Sequence, residues 1–154
     1  MNRFLFLLLA VSTSVHAADK SGTSYWPDSQ LKAYSQQLAP KVNADRVALE
    51  RLGDFGSHYV LVVHREGNGP AELHENETDF YVVQSGEGSL QTGGEIVDAK
   101  TTEPGEVRGS SIRDGKSVKL KPGDTVNIPP KTAHQIVLEP GQKITYMIVK
   151  IRGK

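Results

Sequence analysis

A chain of 154 residues is one domain's worth, and its 18 basic and 18 acidic side chains balance. That charge leaves no basic footprint for nucleic acid or an anionic membrane surface. No cysteine is present, which excludes disulfides, thiolate metal sites and a cysteine nucleophile.

The first segment sets the compartment. Arg3 is followed by FLFLLLAV, then Ser12-Thr13-Ser14 and Val15-His16-Ala17. A short basic start, an apolar core and a small-x-small end make residues 1–17 a secretory signal peptide. The apolar run is too short for a permanent membrane span. The mature chain is therefore expected to start at residue 18 and to be exported, periplasmic or secreted. Residues 18–56 are expected to form a helical or extended segment packed outside the main domain. Asp28–Leu38 reads as a short helix with Asp28 or Ser29 as cap, Leu31, Tyr34 and Leu38 at helical spacing, and Pro40 as terminator. Residues 43–52 read as one or two further turns of weakly amphipathic helix.

From residue 57 the texture changes. Runs rich in Val, Ile, Tyr and Phe recur, each bounded by Gly, Pro, Asn or Asp, which is the strand signature. In the first, 58–66, His58, Val60, Val62 and His64 share one face and Tyr59, Leu61 and Val63 the other. Further strands are expected at 71–74, 79–84, 88–92, 95–97, 117–120, 124–128, 134–138 and 144–151. Between them, 98–113 is a polar excursion, expected as an extended surface hairpin, the alternative being a cover over the barrel opening that brings Arg108 or Arg113 to an anionic substrate, and Asp114-Gly115 is a hairpin turn. Short strands with no long helix among them make an all-β sandwich or small barrel over residues 57–152.

Two stretches concentrate the chemistry. Glu72, His74, Glu75, Glu77 and Asp79 crowd the approach to FYVV, and a second stretch, GDTVNIPPKTAH, ends on His134. Glu72 and His74 are two apart and share a strand face, as do Asp79, Tyr81 and Val83. Buried carboxylates must find partners. A metal is one way to supply them; hydrogen-bonded interior histidines are the other. Glu75 and Glu77 are expected as solvated loop charges, and His58 and His64 as ordinary core or surface histidines.

The spacing resembles the two motifs of the cupin family. Glu72-x-His74, four residues, Asp79, six residues, Gly86 follows the first; Gly123, five residues, Pro129-x-Lys131, two residues, His134 follows the second. Glu72 stands where the family's first His is usual, Asp79 where Glu is usual and Lys131 where a second Gly is usual. The resemblance implies a double-stranded β-helix, or jelly roll, and one divalent metal held by Glu72, His74, Asp79 and His134. Two imidazoles with carboxylates suit Fe, Mn, Ni or Zn. Asp79 either ligates or orients a histidine, and Glu72 ligates, serves as general base or binds substrate. Tyr81, Gln135 and Arg113 are candidate contacts for a small-molecule ligand, with Arg108 and Lys131 nearby. The expected protein is an exported single-domain cupin, paired as a homodimer, acting on a small polar molecule by isomerase, lyase or oxygenase chemistry. The alternative is a binding barrel without turnover.

Overall fold

The computed structural model describes residues 22–153; the leader expected at 1–17 lies outside them. Helix α1 spans Asp28–Leu38 and a 3-10 turn, Ala39–Lys41, follows it. No side chain caps α1. The Pro27 carbonyl instead accepts the N–H groups of Gln30 and Leu31. Tyr34 and Leu38 are the buried face of the helix, packed with Ala48 and Val62.

The strands are β1 (Val47–Asp54), β2 (His58–Arg65), β3 (Ala71–His74), β4 (Glu77–Gly86), β5 (Gly88–Thr92), β6 (Glu95–Val97) and β7 (Lys100–Glu103). They continue as β8 (Glu106–Gly109), β9 (Ser111–Arg113), β10 (Lys116–Leu120), β11 (Thr125–Ile128), β12 (His134–Val137) and β13 (Ile144–Arg152). One sheet has the order β1-β2-β13-β4-β11, a second β10-β5-β12-β3-β8-β7, and β6 pairs with β9 in a small ribbon. All of these pairings are antiparallel. Among the described residues this is an all-β jelly roll with one short α-helix outside it.

Residues 43–52 are not helical. From Val47 they form β1, paired with β2 from Val47↔Arg65 to Asp54↔Tyr59, with a bulge between Arg51 and Gly53. Their weak amphipathic pattern loses to a long-range strand partner, as helix propensity commonly does. The boundary expected at residue 56 falls in the turn between these two paired strands. The excursion 98–113 does contain a hairpin, β7 with β8, and β7 is exposed throughout. But β8 also pairs with β3, so the hairpin extends the second sheet.

Period-two alternation decides what lines the interior. On β2, Val60, Val62 and His64 face outward, with Val62 under α1, while Val63 enters the core. On β13, Ile144, Tyr146 and Ile148 are core residues, and on β4 Tyr81 and Val83 are. The opposite sheet contributes Leu90, Leu120 and Ile136. Gly86 closes the first motif because the turn into β5 needs it. Its φ is +74°, and an added Cβ would collide with the carbonyl oxygen of Lys143.

Candidate metal and substrate site

Strand register builds the site from both sheets. In the second sheet His134 lies across from Glu72, Glu72 across from Arg108, and His74 across from Glu106. In the first, Lys150 lies across from Asp79 on one side and Tyr59 on the other. Residues paired directly across a ladder share a face. Glu72, His74 and His134 therefore confront Asp79 and Lys150 across the interior.

The two imidazoles are oriented alike. His74 Nδ1 lies 2.7 and 2.9 Å from the Glu106 carboxylate oxygens, and His134 Nδ1 lies 3.0 Å from the Thr132 carbonyl. Both partners only accept, so each Nδ1 donates its proton outward and each Nε2 turns a lone pair inward. His134 Nε2 is buried without a hydrogen-bond partner. His74 Nε2 stands 3.4 Å from Glu72 Oε2. Asp79 Oδ2 stands 3.6 Å from both Nε2 atoms. Donor atoms of Glu72, His74 and His134 all lie within 4.8 Å of one another.

These residues fit a metal. Donors about 2 Å from a common ion are themselves roughly 3 to 3.5 Å apart. A metal-ligating histidine also characteristically gives its other N–H to a carboxylate or carbonyl. Asp79 faces the same nitrogens a metal would, so it does not orient a histidine from behind. That task falls to Glu106, on the strand expected to be a surface hairpin.

A cation already stands beside this centre. Lys150 Nζ donates to His74 Nε2 at 2.9 Å and pairs with Asp79 Oδ1 at 2.8 Å and Glu77 Oε2 at 3.6 Å. Burial would push the His74 pKa down, but the carboxylates of Asp79 and Glu72 carry it up to about 9. A proton on Nε2 and the Lys150 ammonium exclude one another at this distance. Either way the carboxylates hold positive charge at this point. Glu72 is taken down to about 2: burial alone would raise it, and His74, Arg108 and His134 outweigh that. Arg108 Nη1 meets Glu72 Oε1 at 2.6 Å.

A cavity of about 820 Å³ opens beside these groups. Tyr81 lines it and donates to Asp79 Oδ2 at 3.3 Å. Burial first, and neighbouring Tyr146 and Asp79 after it, push the Tyr81 phenol well above its usual range. Gln135 does not line the cavity; its amide donates to the Gly69 and Ser110 carbonyls at 2.8 and 3.3 Å. Arg113 lies outside it too, exposed and paired with Glu95 at 2.6 Å. Glu77 is not a solvated loop charge. It opens β4 in phase with Asp79 and Tyr81, accepts from the Tyr59 hydroxyl at 3.0 Å and faces Lys150. Glu75 is exposed. His64 is a buried, hydrogen-bonded histidine on the outward face of β2, 2.8 Å from Thr145 Oγ1, and His58 stacks on Phe55.

Lys131, the departure from the second motif's Gly, holds φ +62° while its N–H donates to the His74 carbonyl at 2.7 Å. The left-handed conformation costs a non-glycine residue about 1–2 kcal/mol, and glycine's looser unfolded chain returns about 0.4–1 of that. Lys131→Gly is expected to stabilise the fold by roughly 0.5–1 kcal/mol in denaturant unfolding. A destabilised variant would show that the lysine side chain contributes contacts of its own.

No family model matches the sequence. No curated protein matches it. Solved structures do. The DMSP lyase DddQ of Ruegeria pomeroyi is 20% identical with a TM-score of 0.51, over 71% of this chain and 48% of the lyase. A cupin-like protein of Thermotoga maritima is 19% identical with a TM-score of 0.50, over 68% of each chain. The polyketide cyclase RemF of Streptomyces resistomycificus is 19% identical with a TM-score of 0.50, over 69% of this chain and 65% of the cyclase. The chain thus spans less than half the length of the lyase it matches. At these identities the likeness shows the fold alone: this chain shares the β-barrel architecture of these cupin structures.

Proposed function

We propose that this chain is an exported metal-dependent barrel enzyme acting on a small polar molecule. One divalent transition metal, Fe, Mn, Ni or Zn, would be held by Glu72, His74 and His134, with Asp79 as fourth donor. The observation that carries this reading is the pair of imidazoles. Both Nδ1 atoms are committed outward, and His134 Nε2 is buried without a partner. When bound, the metal supplies Lewis acidity toward a carbonyl or hydroxyl oxygen, or a seat for dioxygen. The chain supplies the rest. Glu106 and the Thr132 carbonyl fix the ring tautomers. Tyr81 and Lys150, which donate into Asp79 and His74, are placed to hold or return a proton. Isomerase, lyase and oxygenase chemistry all use such a set. The leader at 1–17 supports export, and among the described residues no helix is long and apolar enough to cross a membrane. Exposed Leu49 on edge strand β1 and Val118 on edge strand β10 support pairing of two copies.

A second reading is favoured by Lys150. Its ammonium already neutralises the carboxylates, as suits a barrel that binds a small molecule without metal or turnover. Elemental analysis of the mature protein, purified without a metal-binding tag, separates the two. About one equivalent of one transition metal, lost in a His74→Ala, His134→Ala double variant, is expected. Iron would direct assays to oxygen consumption, zinc or manganese to isomerase and lyase screens. No metal after incubation with Fe, Mn, Ni and Zn would overturn the first reading in favour of the second.

A further inference from the structure

We propose that Arg65 anchors a carboxylate of the ligand, so that this barrel takes small monocarboxylic acids with an apolar body. The inference deepens the proposed function, whose cavity it uses, but Arg65 is not one of the metal donors.

Four cations line the cavity, and three are occupied. Arg51 pairs with Asp54 at 3.1 Å and lies over the Tyr59 ring. Arg108 pairs with Glu72 and reaches Glu106 at 3.4 Å. Lys150 is held by Asp79 and His74. Arg65 differs. Its one hydrogen bond uses Nε, which donates to the Tyr146 hydroxyl at 3.0 Å. Nη1 and Nη2 find no hydrogen-bond acceptor among the described residues. The nearest carboxylate, Glu72, is 4.0 Å away and already bridged by Arg108. Yet the Arg65 side chain is only 12% exposed.

The guanidinium also has a seat. A Cβ on Gly69 would stand 3.0 to 3.2 Å from its carbon and both terminal nitrogens. It therefore lies against a residue that has no side chain to push it away. A nearly buried guanidinium with an empty fork is costly in the free protein and is shaped to take a carboxylate through two parallel hydrogen bonds. Its distance from Glu72 places such a carboxylate next to the metal donors. A doubly charged phosphate would face Glu72 and Asp79 with one free cation, so a single negative charge suits better. Leu61, Val63, Ile148 and, from β1, Val47 and Leu49 give the cavity an apolar wall for the ligand's body, with Asp45, Arg51, Tyr59 and Asn68 completing the lining. The volume falls in the range of small-molecule pockets.

The test is calorimetric binding of isovalerate, with isovaleramide as its uncharged isostere, to the full mature chain before and after chelation. Arg65→Met, Arg65→Lys and Gly69→Ala run beside the parent, each checked for an unchanged circular dichroism spectrum. Isovalerate is expected to bind the parent and the amide at least about tenfold more weakly, with Arg65→Met losing about ten- to a hundredfold. Arg65→Lys keeps the charge without the fork and should lose less. Gly69→Ala should weaken binding by displacing the guanidinium, and it carries the test with the lysine variant if Arg65→Met does not fold. Equal binding of acid and amide, binding unaffected by these variants, or no isovalerate binding by the folded parent would overturn the proposal. Metal content read on the same samples keeps the two ideas apart. Arg65-dependent acid binding without metal would sink the metal reading alone, and metal without it would sink this one alone.

Discussion

Asp79→Ala is expected to destabilise the metal-free protein by about 3–5 kcal/mol, and adding Lys150→Met should recover most of the loss. Asp79 is 1% exposed and directly paired, across the ladder, with Lys150, whose side chain is 11% exposed. Removing the carboxylate leaves an ammonium facing His74 Nε2, with Glu77 at 3.6 Å as its one remaining carboxylate. Breaking a buried pair from one side is worse than removing both partners, because the survivor stays desolvated and uncompensated. Glu77 absorbs part of that, which points to the lower end of the range. Lys150→Met alone should be milder, since a proton on His74 can take over the lysine's charge. The acid limb carries the same information. Burial would raise the Asp79 pKa, but His134, His74 and Lys150 hold it well below the usual carboxylate range. The stability it contributes is therefore present above its unfolded pKa of 3.8 and lost as pH falls below it. Asp79→Ala should flatten that part of the pH profile. Denaturant unfolding at neutral and acid pH measures both effects. A variant within about 1 kcal/mol of the parent would show that Lys150 escapes to solvent and that the pair is not a buried one.

The strands β2 to β6 and β10 to β13, and the meeting of the four motif positions, were legible because both rest on local pattern. Alternation of two fixes faces, and the motif spacings fix which faces meet. What was missed divides into two kinds. Lys150, Glu77 and Arg65 carried a signal: each continues, at i±2, a run of interior residues, Tyr146-Ile148-Lys150, Glu77-Asp79-Tyr81 and Leu61-Val63-Arg65. A charge in phase with a buried face is a site residue or is paired, and that inference was open from the sequence. Glu106 carried none, and Arg108 stood out only as a cation near the candidate ligand contacts. Their place depends on β8 pairing with β3, some thirty residues earlier in the chain, and nothing in a polar Gly-containing stretch announces that partner. The strand β1 fails for the same reason, because its conformation is imposed by β2. Arg113 shows the converse error. It is a cation in the right segment, but on β9, which pairs with β6 away from the cavity.

Glu106→Ala is expected to weaken metal binding by close to a hundredfold and Glu106→Gln by nearer tenfold, about 2.7 and 1.4 kcal/mol. Both Glu106 oxygens lie within 2.9 Å of His74 Nδ1. The carboxylate does two things there. It holds the proton on Nδ1, so that Nε2 presents its lone pair inward, and its charge makes that nitrogen a stronger donor. The glutamine keeps an acceptor oxygen and hence the tautomer, but not the charge; the alanine keeps neither. Alanine also releases Arg108 from its 3.4 Å contact with Glu106 to bind Glu72 alone, which draws a second metal donor away from the centre. The Glu106 side chain is 23% exposed, so water can replace the lost contacts and the fold should unfold at nearly the parent's denaturant midpoint. Competition against a chelating fluorophore at neutral pH gives the affinities, with unfolding curves on the same preparations. Unchanged affinity in the alanine variant would mean that packing alone orients His74. Equal losses in the two variants would mean that charge, not tautomer, is what Glu106 contributes. A tenfold step between them would assign it both roles.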